Sequence, residues 1–154
     1  MYHRIVLVTL ASLLAAAGCK GGHQFQPPNR QVQVEQADSA FSPVLFDTIQ
    51  WASDSLRLFV GNNTYAAECR KCHGYLGKGN TDYDRVHDIH PPSLVRPDWP
   101  YADNLEAVRH IMFTGHAGMP TWGVAGITPR EIDATAYYVL TRLRPDVLSG
   151  DTAP

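Results

Sequence analysis

The stretch "ECRKCHGYLGKG", Glu68 to Gly79, holds two cysteines separated by two residues, with a histidine directly after the second. Residues three apart on a helix share one face. A helical Cys69-x-x-Cys72 therefore presents both sulfurs to the same object, with His73 one step further on. The glycines that follow, Gly74, Gly77 and Gly79, mark a loop.

Three objects suit these residues. The first is haem c, bound through two thioether bonds to the vinyl groups, with His73 beneath the iron as proximal ligand. The second is zinc, because fourteen residues separate Cys72 from a His87-x-x-His90 pair. Finger histidines are usually three to five apart, however, and Pro91 and Pro92 follow at once, so no finger helix can be built there. The third is a redox-active CxxC pair, which belongs in a βαβ setting, and no strand pattern of useful length is present. Haem c is the best fit, as one covalently attached group.

The remaining composition narrows the class. The chain has 154 residues, 44% apolar and 18% charged, with a formal net charge of −2. That is one domain of ordinary size, without the basic excess that nucleic-acid binding requires. Three cysteines, Cys19, Cys69 and Cys72, make no disulfide framework. The start, "MYHRIVLVTLASLLAAAGCK", places Arg4 before an apolar run from Ile5 to Ala17. That run is too short for a bilayer span and fits an export signal over residues 1–18. Residues 19–52 are expected to be a linker. Within it, residues 20–39 are rich in Gly, Gln and Pro and lack apolar periodicity, as in a tether. The strip 41–51 contains Phe41, Val44, Leu45, Phe46, Ile49 and Trp51. It either packs on the domain's own surface or docks on a membrane-complex partner.

The domain itself is expected over residues 53–145, with a tail at 146–154. Ser53 or Asp54 caps a helix that runs to His73-Gly74. The proline-rich span from Thr81 to Trp99 has no helical pattern. Leu105, Val108, Ile111 and Met112 recur at helical spacing, with Asp103 or Asn104 as cap and Gly115 as stop. "GHAGMPTWGVAG" is a loop. Thr128, Pro129 and Glu131 open the clearest helix, striped by Ile132, Ala136, Val139, Leu140 and Leu143 and ended by Pro145.

From about Leu56 to Leu143 the chain resembles a class I mono-haem cytochrome c. The resemblance rests on "CRKCHGYLGKG", "HPPSL", "GHAGMPTWG" and "IDATAYYVLTRL", in that order. It implies an all-α fold of three to four helices around a covalent haem, the helix before CxxCH crossing the C-terminal one. Gly61 and Tyr65 match the small and aromatic crossing positions, with Tyr137 or Tyr138 opposite. A backbone carbonyl in the turn Pro92-Ser93-Leu94 would hold the free nitrogen of His73. The gap from His73 to that turn is longer than in compact members, leaving an extended loop around "DYDRVHDI". Met119 is the expected sixth ligand and Met112 a core residue. His116 is the rival ligand, followed by His87, His90 and His110. Trp122 would pack at the haem edge and direct its indole toward a propionate, with Arg96 and Trp99 as further candidates. Arg70, Lys71 and Lys78 flank the thioether edge, as solvated charge or as a guide for an acidic partner. "LLAAAGC" also resembles a bacterial lipobox, with Ala16 in place of the favoured leucine, which implies lipidation at Cys19.

With both axial positions filled the iron has no place for substrate, so the expected role is a one-electron carrier rather than an enzyme. The expected setting is a membrane-tethered subunit or close partner of a respiratory or photosynthetic complex, outside the cytoplasm of a bacterium. The plan is similar to that of the mono-haem lipoprotein subunit of alternative complex III. The expected partners are redox proteins and, through the lipid, the membrane. Neither nucleic acid nor a small-molecule substrate is expected. The alternatives are a haem sensor or enzyme with a displaceable Met119, or the electron-accepting module of a dehydrogenase.

Overall fold

The helix that leads into the CxxCH element and the last long helix meet backbone to backbone at Gly61. A Cβ there would lie 2.1 Å from the Ala134 carbonyl oxygen, so only glycine permits the approach. In the computed structural model, which describes residues 29–116 and 118–151, every regular element is helical and no strand occurs among the described residues. The elements are α1 (Arg30–Ala40), α2 (Val44–Asp47), α3 (Asp54–Thr64), a π-helical turn (Tyr65–Cys69), α4 (Arg70–His73), α5 (Asp82–His87), α6 (Leu105–Thr114), α7 (Trp122–Ala125), α8 (Pro129–Tyr138), a second π-helical turn (Val139–Leu143) and α9 (Arg144–Ser149). The expected all-α architecture is the one observed. No helix among the described residues is long and apolar enough to cross a membrane.

Local chemistry sets the helix starts. The Ser53 hydroxyl accepts from Leu56 N at the head of α3, and Asn104 accepts from Ala107 N at the head of α6. Thr128 and Glu131 exchange both bonds of a capping box at α8, which holds the Glu131 carboxyl below the usual carboxylate range. Tyr65, one turn after Gly61, is buried and its ring lies 5.7 Å from that of Tyr138. Tyr138, rather than Tyr137, is thus the opposing aromatic at the crossing.

Four expectations fail. The tether is helical from Arg30 onward: Asn29 caps α1, Ala37 is fully buried, and α1 packs on α6. Its sequence lacks a long apolar stripe because one small residue makes the contact. The span after Thr81 contains α5, nucleated by a capping box between Thr81 and Asp84 and closed by Asp88 in the left-handed region (φ 51°). "GHAGMPTWGVAG" includes the short α7. Pro145 does not end the last helix. Arg144 N donates to Val139 O, five residues back, and the widened turn admits a proline that has no N–H to place. The helix continues to Ser149, so the expected tail begins inside it. The export signal, Cys19 and the tether up to residue 28 lie outside the described residues.

The apolar strip largely serves the domain itself. Phe46 is buried, and Phe41 stacks edge-on against His110 and Phe113 with centroids at 4.6 and 5.6 Å. The Trp51 indole donates to Asp133 Oδ2 at 2.6 Å. Val44 and Leu45 remain outside, 64% and 38% exposed. Asp133, on α8, is only 1% exposed and also receives Arg57 from α3 and Arg109 from α6 at its other oxygen, Oδ1. One carboxylate therefore ties α3, α6, α8 and the strip together, and both arginines gain the countercharge that burial demands.

Candidate haem site

Cys69 closes the first π-helical turn and Cys72 and His73 form the end of α4. Both cysteines are free thiols. Burial pushes the Cys69 thiol up to about 12, and burial and then the Asp84 charge push up the Cys72 thiol. A redox-active CxxC pair needs the reverse, a depressed thiol. The histidines needed for zinc do not converge on the cysteines. His87 stacks on Tyr83, with centroids 4.1 Å apart, and exposed His90 faces Asp88. Among the described residues no three His, Cys, Asp or Glu side chains are grouped to hold a metal ion.

The turn after His73 is clamped. Gly74 and Gly79 adopt positive φ (77° and 70°), Gly79 N donates to His73 O at 2.8 Å, and the Tyr65 hydroxyl donates to Gly74 O at 2.7 Å. The imidazole is largely buried, which lowers its proton affinity; the Pro92 carbonyl and the Asp84 charge oppose that. Its Nδ1 is buried and completes no hydrogen bond. The Pro92 carbonyl lies near enough to the ring to favour its protonated form. This is the arrangement expected of a ring whose other nitrogen serves an iron, with the carbonyl as orienting acceptor. The residues present fit a c-type haem.

The Pro92 loop is itself held from two sides. Leu94 N donates to Gly77 O at 2.8 Å, and the Arg144 guanidinium donates to the carbonyls of Leu94 and Arg96. Arg144 is 5% exposed and lies over the Trp99 ring, 4.9 Å from its centroid. Sequence reasoning missed this arginine because its partners Leu94 and Arg96 lie 50 and 48 residues away along the chain. Of the other candidates, Trp99 is buried against Arg144 and Tyr101, while Arg96 pairs at the surface with Asp98 at 3.1 Å.

In the loop before α7 and at its start, Met119 and Trp122 are each half-buried against the core, whereas His116 is exposed. Met119 N donates to His116 O at 2.8 Å, closing a tight turn. A Cβ at Gly115 would lie 2.7 Å from both the Met119 carbonyl and Arg30 Nη2, so the head of α1 abuts this loop. Met112 is buried core, as expected. His110 meets Asp38 of α1 at 3.2 Å. Arg70, Lys71 and Lys78 are exposed, and Lys71 Nζ sits 4.0 Å above the Tyr83 ring.

Residues 59–139 match the family described as cytochrome c oxidase, cbb3-type, subunit III. Two curated relatives are subunits of cbb3-type cytochrome c oxidase. CcoP of Rubrivivax gelatinosus is 26% identical over 91 residues, covering 58% of this chain and 27% of the relative. FixP of Azorhizobium caulinodans is 32% identical over 82 residues, covering 53% of this chain and 26% of the relative. The chain thus spans about a quarter of the length of these relatives. Both are oxidase subunits, rather than parts of the quinol-oxidising assembly to which the plan was likened. No solved structure matches the chain. The match extends over more than half of the chain, from within α3 to the second π-helical turn, and with it the chain belongs to the cbb3-type subunit III family of c-type cytochromes.

Proposed function

We propose that this protein carries single electrons through one covalent haem c with His73 and Met119 as axial ligands, as a subunit or close partner of a respiratory oxidase-type complex. The observation that carries this reading is the pairing of a half-buried His73, set beside the Pro92 carbonyl, with a half-buried Met119 whose rival His116 is exposed. The haem supplies the one-electron couple. Cys69 and Cys72 anchor it, and Pro92, with Leu94 and Arg144 behind it, orients the imidazole. Met119 would give its sulfur to the iron on the side away from His73 and so exclude water and small ligands from the metal. A neutral thioether favours the ferrous state and raises the potential relative to two histidines. Trp122 shields the edge beside Met119. Export and lipidation at Cys19 place the domain on the outer face of the cytoplasmic membrane, tethered by the chain before α1.

The test is the absorbance spectrum of the oxidised holoprotein. The weak far-red band that marks methionine sulfur on ferric haem is expected in the wild type and lost in Met119→Ala. The reduced Met119→Ala protein should bind carbon monoxide and the wild type should not. A wild type lacking the far-red band, or one that binds carbon monoxide readily, overturns the His/Met assignment.

A further inference from the structure

The segment between the CxxCH helix and the Pro92 loop contains a carboxylate with an unmet need. Asp84, on α5, is 3% exposed. Its Oδ2 accepts from Thr81 N at 2.8 Å, within the capping box. Its Oδ1 is buried and meets no donor among the described residues. The cap is fastened to the CxxCH helix, because the Thr81 hydroxyl, which accepts from Asp84 N at 3.1 Å, also donates to the Lys71 carbonyl at 2.9 Å. Lys71 directly precedes Cys72 and His73. A solvated charge is largely screened, but one in a low-dielectric setting acts at full reach on its neighbours. No cation neutralises Asp84: the ion pairs of the described residues include Asp82, on the same helix, with Arg85, but not Asp84.

We propose that Asp84 tunes the haem site: its buried carboxylate, fixed against the CxxCH helix by the Thr81 capping box, favours ferric over ferrous haem. The inference rests on the His73 ligation proposed above. Ferric haem carries one more positive charge than ferrous haem, so a fixed negative charge nearby lowers the reduction potential. The insert that lengthens the loop around "DYDRVHDI" thus has a use: it brings an anion against the helix that ends in His73 and offsets part of the rise in potential from Met119.

The test is a potentiometric titration of the holoprotein, followed by absorbance. Asp84→Asn keeps an acceptor for Thr81 N and removes the charge. It should retain covalent haem and the far-red band, and favour reduction about tenfold, or about 59 mV for a one-electron couple. Asp82→Asn removes the same charge from a side chain 93% exposed on the same helix, and should move the midpoint far less. Glu and Gln both serve as the third residue of a capping box, so Asp84→Glu and Asp84→Gln provide a matched pair if the Asn variant does not fold. Glu should stay near the wild type and Gln should rise. Coincident midpoints for Asp84→Asn and Asp82→Asn, or for Glu and Gln at position 84, overturn the role of Asp84 while leaving the haem reading intact. A wild type without covalent haem overturns both.

Discussion

Two aspartates of this domain are buried, and they differ in what surrounds them. Asp133 has both oxygens engaged, Oδ1 by Arg57 and Arg109 and Oδ2 by Trp51. Asp84 has one oxygen engaged by a backbone N–H and the other unmet. The first carboxylate is complete in its partners, and it ties together the elements that supply them. The second is a charge without a cation, which is costly unless something nearby uses it. The comparison separates a carboxylate that holds the fold from one that shapes the environment of a ligand.

The largest expected effect comes from breaking the completed side. Asp133→Ala leaves two arginines buried without a countercharge and should lower unfolding free energy by roughly 3–5 kcal/mol in urea titration. It should also free Trp51, read as a change in native tryptophan fluorescence. Asp84→Asn should cost only about 1 kcal/mol, the difference of one charge-assisted bond. A stability loss at position 84 as large as that at 133 would erase the distinction.

Next in size is the crossing beside Asp133. Gly61→Ala drives a methyl group into the Ala134 carbonyl, and overpacking of this kind costs about 3 kcal/mol. An unchanged urea midpoint in this variant would show that α3 and α8 do not meet there. A smaller effect than at the crossing is expected at the Pro92 loop. Arg144→Met removes the donor to the Leu94 and Arg96 carbonyls and should cost about 2 kcal/mol. It should also loosen the Pro92 loop, seen as faster exchange of Leu94 N–H with deuterium. Stability loss without faster exchange would confine Arg144 to packing against Trp99.

Much of the proximal side was legible in the sequence because its signals are local. Cys69, Cys72 and His73 are contiguous on one helix end, and Ser53, Asn104 and Thr128 each cap within three residues. The Gly61–Tyr65 crossing was legible through resemblance to a family. What escaped notice depends on partners far along the chain. Trp51 and Asp133 are 82 residues apart, Arg57 and Asp133 76, and Arg144 and Leu94 50. No periodicity marks an aspartate that gathers two arginines, or an arginine that holds a loop. Helix α1 escaped because its single fully buried contact is an alanine, and α5 because the prolines that follow it drew the reading toward loop.

The sequence by itself determined a helical domain built on Cys69-x-x-Cys72-His73, because the spacing of those residues and of the caps acts within one or two turns. Tertiary structure alone decided that the strip from Phe41 to Trp51 serves the domain and that His116 is exposed while Met119 meets the core. It alone placed Asp84, buried and half-satisfied, against the helix that ends in His73. Burial and counterions are set by what lies across the fold, and a chain does not reveal which of its charges will lose their water until it has closed around them.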